Sequence, residues 1–183
     1  MTAMPHFGTL RAACGLNPSL IFCGRWNQET IMGAFTIPQD GSCRCGRVKL
    51  RLSKAPLLAM ACHCTGCQKM SSSAYSLSAA IPADSFEVTE GEPVIGGLHG
   101  AARHYFCGYC MTWMFTRPDG IDFFVNVRPT MLDDPNWFTP YVETYTDEKL
   151  PWVTTAAKHS YPTLPAMEEY EGLIKGYSAT LAR

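Results

Sequence analysis

Seven of the chain's nine cysteines fall into three short clusters, and their spacing restricts the possible folds more than any other feature. Cys43 and Cys45 stand in "GSCRCGRV", Cys62, Cys64 and Cys67 in "ACHCTGCQKM", and Cys107 and Cys110 in "FCGYC", while Cys14 and Cys23 stand alone. Short C-x-C and C-x-x-C spacings bring neighbouring sulfurs onto one ion, and a structural zinc takes four thiolates at about 2.3 Å. No single cluster supplies four. Joining the first pair to the last gives Cys43, Cys45, Cys107 and Cys110, a long-range closure that contributes on the order of 10 kcal/mol in small zinc domains. Cys62, Cys64 and Cys67 remain. Three protein ligands leave one position for water or a substrate, the arrangement of catalytic zinc. A thiol reaching that position is expected to lose its proton.

The same spacing admits other readings. His63 or a distant residue could complete the middle site, although on an extended backbone His63 points away from the cysteines that flank it. Cys64 and Cys67 could be a redox pair, but that motif usually opens a helix in a βαβ setting, which the pattern does not show. An iron–sulfur cluster is also compatible with C-x-C-x-x-C. The lone His104 and His159 read as surface or core groups.

Composition sets the compartment in which these thiols are read. The chain has 183 residues, a net charge of −1 and 17% charged residues. That length suits one domain with a real core. There is no Lys/Arg run and no basic helix, which argues against nucleic acid as a partner. No apolar run approaches the roughly 18 residues of a membrane span. The first residues lack a basic stretch ahead of an apolar one, so no secretory signal is read and a cytoplasmic location is expected. Disulfides are rare there, and clustered cysteines more often bind metal or do redox work.

Hydrophobic periodicity points to a mostly β chain. Residues 1–40 show no sustained period and read as an N-terminal extension of uncertain structure, with Met32 a candidate natural start. In "GRVKLRL", Val48, Leu50 and Leu52 alternate with Arg47, Lys49 and Arg51, the mark of a half-buried strand. "LLAMACHC" reads as a more buried strand, and "AYSLSAAI" alternates through Tyr75, Leu77, Ala79 and Ile81. "SFEV" and "HYF" are shorter candidates. "TWMF" and "IDFFVNV" flank the turn "RPDG" as a hairpin. "PYVETYT" is the last strand. One helix is predicted, "PAMEEYEGLIKG", starting at Pro165, with Met167, Tyr170 and Ile174 on its apolar stripe and Gly176 at its stop. The domain is therefore bounded at about 41–160, with a tail at 161–183 that carries the helix.

With these motifs in order, the chain resembles the glutathione-dependent formaldehyde-activating enzyme family, which includes centromere-protein-V-like proteins. The matching segments are "GSCRCGRVKL", "CHCTGCQKMSSSAY", "FCGYC", "FFVNV", "LDDPNWF" and "DEKLPWV", covering about residues 41 to 155. The resemblance implies a zinc-stapled β-tent fold of small antiparallel sheets with two zinc ions per chain. The structural ion would fall on Cys43, Cys45, Cys107 and Cys110, and the catalytic ion on Cys62, Cys64 and Cys67. The implied reaction joins glutathione to formaldehyde and is classed, for its reverse, as a carbon–sulfur lyase. Two departures stand out. Met111 follows the last cysteine where many members have Gly, and Gln68 and Lys69 stand where basic residues commonly follow the middle motif.

Three thiolates on Zn²⁺ leave a net negative charge, so an anionic cosubstrate such as glutathione needs cations nearby. Lys69 and Arg103 are the candidates by their closeness to the cysteine motifs, and Trp152 is a candidate wall of the pocket. The rival functions are a zinc-stabilised binding module, which needs only the four-cysteine site, and a cysteine redox protein.

Overall fold

The structure is a computed structural model that describes residues 35–96 and 100–181. Most of the sequence-defined extension, including Cys14, Cys23 and Met32, lies outside the described residues. The described residues are mostly β, with eleven strands in two sheets and a short C-terminal helix.

The smaller sheet has the order β1-β2-β5, formed by β1 (Gln39–Ser42), β2 (Lys49–Leu52) and β5 (Phe86–Glu90), all antiparallel. Strand β1 thus begins inside the segment read as an extension. The alternation predicted in β2 holds: Leu50 and Leu52 are buried, while Lys49 and Arg51 face outward. The outward residues meet acids on the neighbouring strands, Lys49 with Glu90 at 2.6 Å and Arg51 with Asp40 at 2.6 Å. Exposed pairs of this kind contribute less than about 1 kcal/mol each, so it is the buried leucines that hold the strand.

The larger sheet has the order β11-β10-β3-β4-β9-β8-β7-β6. Its members are β3 (Leu58–Cys62), β4 (Ser76–Pro82), β6 (Pro93–Ile95), β7 (Ala102–Cys107), β8 (Trp113–Pro118), β9 (Phe124–Val127), β10 (Val142–Thr144) and β11 (His159–Ser160). Strand β10 runs parallel to both β3 and β11, and the other pairs are antiparallel.

Both faces of this sheet are covered. On one, Ala79, Ile81, Val125, Val127, Met114 and Phe115 pack with Leu50, Leu52 and Trp137. On the other, Leu58, Ala80 and Val142 pack with Leu173 and Tyr177 of the C-terminal helix. Strand β4 is therefore buried on both sides, Ser76, Ser78 and Ala80 included. The one-faced alternation read from "AYSLSAAI" is corrected on this point: a central strand covered by two layers loses its solvent face.

Two α-helices lie among the described residues. A seven-residue helix, α1 (Thr65–Ser71), lies in the connection between β3 and β4, where the sequence reading expected none. It is too short to carry a 3.6-residue period, and tertiary hydrogen bonds hold it. The Thr65 N–H donates to Glu148 Oε2 at 2.6 Å, and the Gln68 amide donates to the carbonyl oxygens of His63 at 2.6 Å and Glu148 at 2.9 Å.

The C-terminal helix α2 (Tyr170–Leu181) follows a 3-10 turn at Met167–Glu169 and buries Leu173 and Tyr177. The predicted stripe was offset, because Met167 is 77% exposed. Gly176 does not end the helix. A Cβ there would lie 2.5 Å from the Tyr141 hydroxyl, so the glycine admits a close approach within the helix.

Candidate metal centre

Two groups of sulfur ligands form, and the chain builds them differently. The first gathers Cys43, Cys45, Cys107 and Cys110, with all four sulfurs within 4.8 Å of one another. Cys43 and Cys45 sit in the turn from β1 to β2. The Gly46 N–H closes on the Cys43 carbonyl at 2.9 Å and the Val48 N–H donates to Cys43 Sγ at 3.3 Å. Gly46 has φ +75, which glycine adopts without strain.

Cys107 and Cys110 form the matching turn from β7 to β8, closed by the Met111 N–H on the Cys107 carbonyl at 2.9 Å. Here the left-handed position is held by Met111, at φ 55. The turn keeps its shape without glycine, at a backbone cost of about 1–2 kcal/mol. The Thr112 hydroxyl lies 3.2 Å from Cys110 Sγ and accepts the Arg44 N–H at 3.3 Å. It holds the Cys110 thiol down to about 5. Cys43 Sγ lies 3.5 Å from Cys45 Sγ, which lies 3.8 Å from Cys107 Sγ. A tetrahedron with zinc–sulfur distances near 2.3 Å has edges of about 3.8 Å, so the set fits zinc.

The second group is Cys62, Cys64 and Cys67, also with sulfurs within 4.8 Å of one another. Cys62 ends β3, Cys64 caps α1, and Cys67 lies in its first turn, donating its N–H to Cys64 Sγ at 3.3 Å. The crowding shows in the thiols. The Cys67 hydrogen bond, followed by burial, pushes Cys62 well up, and the reciprocal bond from Cys62 pulls Cys67 down. Three such sulfurs cannot all ionise together without a cation among them, which is the chemistry of a metal site. Among the described residues no fourth His, Cys, Asp or Glu joins this group. All seven of these cysteines are free thiols.

His63 faces away, as the alternation required. It is fully buried, and its Nε2 meets Glu143 Oε2 at 3.0 Å. Its ring also stands edge-on to Tyr75, with centroids 5.3 Å apart. Glu143 further accepts hydrogen bonds from Lys149 Nζ at 2.8 Å, Thr155 Oγ1 at 2.8 Å and Ser160 Oγ at 2.7 Å. Burial would raise its carboxyl, but these donors outweigh it and bring the group down to about 2. This cluster fixes β10 against the backbone that carries Cys62 and Cys64.

Two cavities border α1 and share Ser73 and Tyr75 as a wall. One, of about 610 Å³, is lined by Gln68, Lys69, Leu150 and Trp152. The other, of about 500 Å³, is lined by Met70, Met111, Trp113 and Arg128. Both are large enough for a tripeptide-sized ligand. The structure therefore brings Lys69 and Trp152 together in one cavity against α1, with Trp152 75% exposed and no part of the core. Arg103 is not brought to either cavity. It lies on β7 in an exposed ion pair with Asp119 at 3.0 Å.

Sequence reasoning passed over Arg128 and Glu143. Each is a charged residue set in or just after an apolar strand, "FFVNVR" and "YVETY", and that anomaly was the available signal.

Comparison with known proteins identifies one family. A family model described as glutathione-dependent formaldehyde-activating enzyme matches residues 38–148. No curated protein matches the chain. A crystal structure of a Rhodobacter sphaeroides protein resembles it at 19% identity, over 51% of this chain and 87% of that one, with a TM-score of 0.42. No helix among the described residues is long and apolar enough to cross a membrane.

Proposed function

The chain belongs to the glutathione-dependent formaldehyde-activating enzyme family, and from that premise we propose that it joins a thiol, glutathione or a close relative, to formaldehyde or a related small aldehyde at the three-cysteine centre. The observation that carries this reading is the contrast between the two sulfur groups. Among the described residues one has four sulfurs, and the other has three, carried by or next to a helix that two cavities border. A binding module would need only the first.

Zinc on Cys62, Cys64 and Cys67 would supply a Lewis-acidic position at which a thiol loses its proton near neutral pH. In the reaction the thiol sulfur bonds to the aldehyde carbon, the C=O π pair moves to oxygen, and the thiol's proton ends on that oxygen. The product is a hydroxymethyl thioether, and the reverse is carbon–sulfur lysis. The chain's own part is to hold the reactants together. Lys69 offers a cation to a carboxylate of an anionic thiol, and Trp152 with Leu150 offers an apolar wall. The His63–Glu143 bond fixes the backbone between Cys62 and Cys64. The two-ion content and a cytoplasmic location belong to the same proposal.

Exchange NMR tests it. The zinc-loaded protein at stoichiometric amounts is expected to speed interconversion of free formaldehyde and glutathione with their adduct. An exchange rate equal to that of the uncatalysed mixture counts against catalysis of this step.

A further inference from the structure

Arg128 is a buried cation with no acidic partner among the described residues. Only 9% of the residue is exposed, and its guanidinium lies 3.7 Å from the centroid of the Trp113 ring. Its acceptors are all neutral: the Leu77 carbonyl at 2.8 Å, the Thr116 hydroxyl at 3.1 Å and the Ser76 hydroxyl at 3.3 Å. Its Nε is buried without a partner. An isolated buried charge is costly unless an opposite charge lies close by.

The Ser76 contact shows where that charge is. Ser76 is the cross-strand partner of Cys62 in the β3–β4 pair. Directly opposed residues of an antiparallel pair share one face, so the Ser76 and Cys62 side chains are neighbours. Arg128 Nη1 therefore stands one serine away from the strand end that carries Cys62 of the three-cysteine group. Three thiolates around a divalent ion carry one net negative charge, and one guanidinium cancels it.

We propose that Arg128, acting through Ser76, is the buried counter-charge of the three-cysteine centre and sets how tightly that centre holds its metal ion. Arg128 is a positioning residue. It makes no direct hydrogen bond to the cysteines and reaches their neighbourhood only at Ser76. The inference rests on reading this centre as a metal site. Partners of this kind, one layer out from the ligands, typically change metal affinity about 10–100-fold when mutated.

The test is zinc titration of the full chain against a chromophoric chelator, with no substrate present. The wild-type chain is expected to take two ions. Arg128→Met is expected to keep the four-cysteine ion at full affinity and to bind the second about 10–100-fold more weakly. Arg128→Lys should recover most of that loss, because it restores the charge without the planar fork. Ser76→Ala, a small change that leaves the fold intact, should fall between the two. Wild-type affinity for the second ion in Arg128→Met overturns the proposal, and so does an Arg128→Lys as weak as Arg128→Met, since packing would then be the cause. If Arg128→Met does not fold, wild-type affinity in Ser76→Ala overturns it. A wild-type chain that takes only one ion removes the metal reading of the centre itself, and the proposal with it.

Discussion

At the scale of single residues, the buried groups around the sulfurs have their protonation fixed by neighbours. Glu143 is the clearest. Its donors hold the folded carboxyl at about 2, below its ordinary value of 4.5. The sign follows from linkage: a depressed carboxyl stabilises the fold above the unfolded value and loses that contribution as pH falls through the folded one. Glu143→Gln is therefore expected to lower stability by about 1–3 kcal/mol at neutral pH, because His63 and Lys149 lose a charged acceptor. Denaturant melts between pH 7 and pH 2 should show this gap narrowing below about pH 4.5 and closing towards about pH 2. A gap that stays constant with pH would assign the loss to packing. Met111 illustrates the other residue-scale theme. A turn that favours glycine is kept by a methionine because the flanking strands and sulfurs determine its backbone.

At the scale of elements, α1 and α2 show how tertiary contacts override local pattern. Helix α1 has no buried residue of its own and is held by Glu148 and by the Gln68 amide. It exists where those partners are, which is why its cysteines converge. Helix α2 docks on the far face of the large sheet through Leu173 and Tyr177, not through the stripe read from its sequence. Leu173→Ala is expected to cost about 2–5 kcal/mol in equilibrium unfolding. Met167→Ala should stay within about 0.5 kcal/mol of wild type, because its side chain is in solvent. The opposite order would mean that the helix packs on its other face.

At the scale of the molecule, the two sulfur groups have different mechanical positions. Cys43 and Cys45 lie in the turn of the small sheet, while Cys107 and Cys110 lie in a turn of the large one. The first centre thus ties sheet to sheet across 62 residues between Cys45 and Cys107. The second is contained within the β3–α1–β4 connection. Cys107→Ser is accordingly expected to lose solubility, whereas Cys64→Ser should stay folded with about one zinc fewer per chain. Metal analysis beside far-ultraviolet circular dichroism separates the two cases. Equal unfolding of both variants would end the division into a structural and a functional site.

What the sequence determined by itself was the chemistry available. Cysteine spacing divided seven thiols into four and three, because short C-x-C and C-x-x-C steps can share an ion only with partners of the right number. Apolar runs bounded by turn residues marked most of the strands, and strict alternation held in β2, since a half-buried strand writes its period directly into the chain. Only the tertiary structure decided which residues surround the sulfurs. Arg128, Ser76 and Glu143 come from three different strands or their ends. A buried polar contact leaves no periodic trace, because it depends on which strands become neighbours. Lys69 and Trp152 reached the cavity and Arg103 did not, for the same reason: nearness along the chain to a motif does not fix which side of a sheet a residue occupies.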